Sequence, residues 1–167
     1  PYKIVANIPY YITSPLIRKF LETKHSPELM VLMVQKEVAQ RICANPPNMS
    51  ILAISVQFYA LAKIISYVKK ENFWPKPKVD SAIIKITPYR HLMHGNINTD
   101  LFFRIVKAGF SHPRKQLGNN LSKMLKLDKD TVFKILLSSS INHRRRAETL
   151  TMDEWLKIVE LSKNSPC

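Results

Sequence analysis

The chain has 167 residues, enough for one domain or one domain with a small appendage, and its 46% hydrophobic content excludes a disordered tail. It carries 26 Lys and Arg against 12 Asp and Glu, a net charge of +14, which points to a polyanionic partner such as nucleic acid. Two distant cysteines (Cys43 and Cys167) and five scattered histidines supply no disulfide framework, metal-ligand spacing or catalytic triad, and no apolar run approaches membrane-spanning length. The expectation is a soluble, cytoplasmic, metal-free protein with no membrane partner.

Lys3 to Asn7 reads as the end of a strand. Directly after it comes Asn7-Ile8-Pro9-Tyr10. An Asn side-chain oxygen and the carbonyls flanking a proline can together accept both hydrogens of a planar exocyclic amine. Proline fixes its own φ and removes a competing donor. A tyrosine next in line offers a flat face for a base taken out of its stack. By itself the tetrapeptide reads more simply as a strand-ending turn, since Asn-X-Pro is ordinary turn chemistry. Thr13-Ser14-Pro15 then reads as a helix start, a hydroxyl cap with proline in the first turn, and Leu16, Ile17, Phe20 and Leu21 form its apolar face.

Glu28 to Val34 is a nearly continuous apolar run, the pattern of a strand buried on both sides. Gln35-Lys36-Glu37 opens a helix with Val38, Ile42 and Cys43 inward, and Asn45-Pro46-Pro47-Asn48 stops it. Gln35 and Glu37 are expected to serve the fold through hydrogen bonds at a strand end. Ser50 to Ala60 is apolar at helical spacing, and Ile64 to Val68 and Ala82 to Ile86 are strand-like. Strands alternating with helices predict a mostly parallel α/β sheet, with the last two strands antiparallel because their link is too short for a helical crossover. His91 to Thr99 reads as a linker. Beyond it the helical signals are Asp100 to Phe110, Arg114 to Leu127, Asp128 to Leu137 and Thr151 to Ser162, the last opened by the capping box Thr151-Met152-Asp153-Glu154. Between Arg104 and Arg146 there are eleven Lys or Arg and only the acids Asp128 and Asp130, a local excess of nine positive charges.

The three glycines (Gly95, Gly109, Gly118) include no Gly-X-Gly loop after a strand, which an α/β nucleotide site normally uses to bring backbone close to its ligand. Together with a start inside an apparent strand, this leads to the expectation that the chain is the C-terminal portion of a longer enzyme, inactive by itself, with the cofactor loop upstream.

Several runs carry a resemblance. Asn7-Ile8-Pro9-Tyr10-Tyr11-Ile12-Thr13-Ser14-Pro15 resembles the fourth motif of the KsgA family of small-subunit ribosomal RNA adenine dimethyltransferases, where Asn-Leu-Pro-Tyr is usual. The helix Gln35 to Ile42 and the run Phe73-Trp74-Pro75-Lys76-Pro77-Lys78-Val79-Asp80-Ser81 resemble later motifs of that family, as do Phe110 to Leu121 and Arg145-Arg146-Ala147-Glu148-Thr149-Leu150. The blocks run in family order across nearly the whole chain. The sequence departs at His112-Pro113 and Gly118, where the family often has arginines.

The resemblance implies an α/β fold, the C-terminal half of a Rossmann-like class I methyltransferase sheet followed by a small all-helical domain. Residues 1–90 would be the catalytic part, 91–99 the linker and 100–167 a basic RNA-binding domain. It implies transfer of methyl groups from S-adenosylmethionine to the exocyclic amines of two adjacent adenines in a small-subunit rRNA hairpin, by a monomer acting on the immature small ribosomal subunit. In that reading Asn7, Ile8, Pro9, Tyr10 and Phe73 are catalytic, Asn7 and Pro9 also face the cofactor, and Tyr10 and Phe73 stack on the two faces of the adenine. Trp74 is expected to pack against the core as part of a hairpin. Lys76, Lys78, Arg114, Lys115, Arg144, Arg145 and Arg146 are the candidate RNA contacts, with pairing of Arg146 to Glu148 the structural alternative. Two other readings stay open: a large-subunit rRNA methyltransferase of the antibiotic-resistance type, and a non-catalytic ribosome-assembly or transcription factor that kept the fold.

Overall fold

The computed structural model describes residues 1–90 and 97–162. They form two compact units, Pro1–Ala44 with Leu52–Met93, and Asn45–Ile51 with His94–Cys167. Most of the linker expected over 91–99 lies outside the described residues. Its last two residues belong to a helix start, with Asn98 as the cap and Thr99 as the first helical residue.

The first unit holds a four-stranded sheet of β1 (Lys3–Asn7), β2 (Leu29–Gln35), β3 (Ala60–Val68) and β4 (Ser81–Pro88), in the order β1-β2-β4-β3. β1 and β2 are parallel, registered from Lys3 opposite Leu29 to Asn7 opposite Met33, with helix α1 (Thr13–Leu21) between them in the chain. β4 runs antiparallel to both β2 and β3. The expectation of a mostly parallel sheet therefore holds for one pairing of three, while the antiparallel pairing of the last two strands is as expected. The difference arises because β4 returns by a short loop and inserts between β2 and β3, and insertion order is not written in periodicity.

β2 alternates between wholly buried Met30, Leu32 and Val34 and half-buried neighbours, so one of its faces is sealed and the other only half covered. The sealed face packs with Ile17 and Leu21 of α1, Ile42 of α2 (Lys36–Ile42), Val56 of α3 (Ile51–Gln57) and Ile84 and Ile86 of β4. α3 ends at Gln57, and β3 starts at Ala60, four residues before the predicted Ile64. Ala60 to Lys63 has no strong strand pattern of its own; its pairing with Lys85 to Pro88 decides its conformation.

Thr13 does not cap α1. A short 3₁₀ turn over Tyr10–Ile12 precedes the helix, Ile12 occupies the cap position, and the Thr13 hydroxyl is buried without a hydrogen-bond partner. Pro15 does lie in the first turn.

The second unit packs α4 (Thr99–Gly109), α5 (Leu117–Leu125), α6 (Lys129–Ser138) and α7 (Met152–Ser162) around Trp155, which is fully buried and stacks on Phe110 at 5.8 Å between centroids. A Cβ at Gly109 would stand 2.5 Å from the Trp155 ring, so only glycine lets α4 approach it. The helix starts are capped locally. Asn98 accepts from Leu101 N at 3.0 Å and Asp128 from Thr131 N at 2.8 Å. Thr151 and Glu154 form the reciprocal capping box, at 2.8 and 3.2 Å. α5 begins at Leu117, three residues later than predicted. Its first amides are taken by the carbonyls of Arg145 (2.8 Å) and His143 (3.0 Å), which leaves Arg114 to Gln116 in a turn.

Candidate active site and basic surface

At the end of β1 the chain leaves the sheet at Asn7, which is exposed and whose side chain makes no hydrogen bond among the described residues. Ile8 is buried and anchors the turn in the core. The Pro9 carbonyl accepts the Ile12 amide at 3.2 Å as the 3₁₀ turn forms. Of the two carbonyls beside the proline ring, that of Ile8 is the one left open among the described residues. The Tyr10 hydroxyl shares a 2.8 Å hydrogen bond with Ser81 Oγ, a fully buried group at the start of β4. That bond ties the first motif to the last residue of the Phe73 to Ser81 motif and fixes the tyrosine ring.

The opposite wall is the β3–β4 loop. A 3₁₀ turn over Lys70–Asn72 delivers Phe73, whose amide donates to Lys70 O at 3.3 Å. Asp80 closes the base of the loop. It accepts from Lys70 N at 3.2 Å, stands 3.5 Å from Lys36 Nζ, and gives its carbonyl to the Lys36 amide at 3.0 Å. The Lys70 amide, with help from the Lys36 charge, holds the Asp80 carboxyl below the usual carboxylate range. Asn7, Ile8, Pro9, Tyr10 and Phe73 thus line one open cleft of about 370 Å³, together with Trp74, Pro75 and Pro77. Trp74 does not pack against the core: it is 98% exposed. Gln35 and Glu37 make no side-chain hydrogen bond among the described residues, contrary to the structural role expected of them.

Tyr10→Phe is expected to destabilise the protein by about 1–2 kcal/mol, because it strands a buried Ser81 hydroxyl. In urea unfolding, adding Ser81→Ala to Tyr10→Phe should cost less than the sum of the single changes.

The candidate RNA contacts divide by what they touch. Lys76 pairs with Glu71 at 2.9 Å, and both side chains are about half exposed. Lys78, Arg114, Lys115 and Arg144 are exposed and make no ion pair among the described residues. Arg146 pairs with Glu148 at 3.6 Å, the structural alternative foreseen from sequence, although Arg146 remains exposed and Glu148 is only partly buried. Arg145 is different. Its Nη1 and Nη2 bind the Glu154 carboxylate, Nη2 also donates to Thr149 O at 2.6 Å, and Nε donates to Thr149 Oγ1 at 3.2 Å. It pins the 143–150 loop to the start of α7, so its guanidinium is committed to the fold and has little left for a phosphate. The loop carbonyls of His143 and Arg145 accept the first amides of α5, which follows the Arg114-Lys115 turn. The space at Gly118 is taken by the Phe133 ring, which stacks on His143 at 4.1 Å; a Cβ there would meet it at 2.7 Å.

A family model described as ribosomal RNA adenine dimethylase matches residues 1–163. The chain belongs to the ribosomal RNA adenine dimethylase family. A relative from Dehalococcoides mccartyi (strain CBDB1), named ribosomal RNA small subunit methyltransferase A, is 46% identical over all of this chain and 57% of its own length. One of the same name from Desulfitobacterium hafniense (strain DSM 10664 / DCB-2) is 44% identical over 94% of this chain and 57% of its own. The chain therefore spans somewhat more than half the length of these dimethylase-family relatives. Among solved structures, a dimethyladenosine transferase from Plasmodium falciparum superposes with a TM-score of 0.81 at 28% identity, over 97% of this chain and 67% of that one. The 23S rRNA methyltransferase ErmE superposes at 0.75 and 21% identity, over 98% of this chain and 66% of that one, a likeness of fold alone. The fold class expected from sequence, an α/β methyltransferase sheet with a helical unit after it, is the observed one.

Proposed function

We propose that the protein of which these residues form the adenine-holding part is an S-adenosylmethionine-dependent small-subunit rRNA adenine dimethyltransferase, acting in the cytoplasm as a monomer on the immature small subunit. The observation that carries this is the meeting of a free Asn7 amide, the open Ile8 carbonyl, the Tyr10 ring and Phe73 around one cleft. A planar amine entering it would donate one hydrogen to Asn7 Oδ1 and the other to the Ile8 carbonyl, with the base held between Tyr10 and Phe73. With both N–H groups fixed, the nitrogen lone pair points out of the base plane, and alignment does most of the catalytic work.

The residues present fit the transfer end of the cofactor. Asn7 and Pro9 can face its methyl, while residues 1–90 contain no glycine to bring backbone against its nucleoside. When bound, S-adenosylmethionine supplies an electrophilic methyl on a sulfonium. The amine becomes acidic only on methylation, so its proton leaves to water and no strong base is required; among the described residues none lines the cleft.

The test is methyl transfer by the full-length protein to small-subunit and large-subunit rRNA. Dimethyladenosine confined to adjacent adenines of the small-subunit RNA is expected. Methylation of the large-subunit RNA alone, or of neither, overturns the reading.

A further inference from the structure

Trp74 is almost fully exposed, while the other tryptophan, Trp155, is fully buried. A bare indole forgoes about 2–3 kcal/mol of burial, so its placement asks for a reason. Its loop is not slack. Asp80 anchors one end through Lys70 and Lys36, Glu71 and Lys76 bridge its middle, and Pro75 and Pro77 restrict the backbone after it. Phe73 and Trp74 both line the cleft that holds Asn7 and Tyr10. Neighbouring Lys78 is exposed and makes no ion pair among the described residues.

A base drawn into that cleft leaves the nucleotide next to it with one face unstacked. We propose that Trp74 is a stacking platform for that neighbouring nucleobase, a substrate contact that sets how the strand is seated at the cleft mouth. The inference rests on the adenine-methylation reading above and extends it to a second base. Occupation by a base follows from the site itself: the ring borders the adenine cleft, the chain carries a net charge of +14, and a π face accepts any base. Lys78, four residues on in the same loop and exposed, would supply a positive charge for the connecting phosphate.

The experiment uses the full-length protein and a single-stranded RNA containing the target adenine, with the adjacent nucleotide either intact or abasic. Stacking is followed in the wild type as the quenching of emission that Trp74→Phe lacks, and methyl transfer is measured for the wild type and both variants. Trp74→Ala is expected to raise KM about tenfold with kcat changed far less, and Trp74→Phe to recover most of the loss. The abasic neighbour should cost the wild type about the same tenfold and Trp74→Ala almost nothing more. Normal methylation with no effect of Trp74→Ala, or an abasic penalty equal in both proteins, overturns this inference and leaves the adenine-methylation reading standing. Absence of methyl transfer by the wild type removes both.

Discussion

Asn7→Ala in the full-length protein is expected to lower the proposed methyl transfer by about a hundredfold to a thousandfold and to leave RNA affinity nearly unchanged. The amide is exposed and makes no hydrogen bond among the described residues, so its loss costs the fold within about 0.5 kcal/mol. In the proposed reading, the change removes one of two acceptors that align the amine, and alignment affects the transition state more than binding. Single-turnover rates beside equilibrium RNA binding separate the two. An equal loss of rate and affinity assigns Asn7 a structural role.

Arg145→Ala is expected to destabilise the helical unit by about 2–4 kcal/mol, a fall in melting temperature of roughly 10–30 °C for a unit of this size. The Arg145 and Glu154 side chains keep 33% and 23% of their exposure, so the cost lies above that of a surface ion pair and below that of a fully buried one. Burial would raise the Glu154 pKa, but the bonds from Arg145 and the Thr151 amide outweigh it and hold the carboxyl below its ordinary value. Its folded pKa is thus lower than its unfolded one. The contribution is present above the ordinary carboxylate value near 4.3 and is lost as pH falls through the lower folded value. The gap between wild type and Arg145→Ala in thermal melts is therefore wide at pH 7 and narrows below about pH 4 to what the two Thr149 bonds contribute. Arg144→Ala with Arg146→Ala does the reverse: stability stays nearly unchanged, while the slope of log K against log salt for RNA flattens by roughly 0.7–0.9 for each phosphate that is no longer neutralised. Unchanged slopes would make these two arginines structural as well.

The lining of the cleft was legible in the sequence because each wall is a short contiguous motif. Asn7 to Tyr10 ends one strand, Phe73 to Ser81 precedes another, and the register that sets Gln35 opposite Ser81 brings the second motif to the end of the first. What was not legible depends on partners remote in sequence. The bond from Tyr10 to Ser81 spans 71 positions. Arg145 sits in a run of three arginines, and only the fold of α7 over it distinguishes the one that binds Glu154. Trp74 carries the composition of a core residue, and nothing local says that its loop holds it clear of the core. Asn45 to Asn48 reads as a helix stop in the first half, yet Asn45–Ile51 belongs to the second unit, where the Met49 amide meets Glu148 O at 3.0 Å.

The most direct measurement is a structure of the full-length protein bound to S-adenosylhomocysteine and an adenine-containing RNA. The target adenine is expected inside the cleft, its amine within hydrogen-bond distance of Asn7 Oδ1 and the Ile8 carbonyl, and its ring between Tyr10 and Phe73. An adenine bound elsewhere, or in the cleft with its amine turned away from Asn7, would contradict the proposed reading.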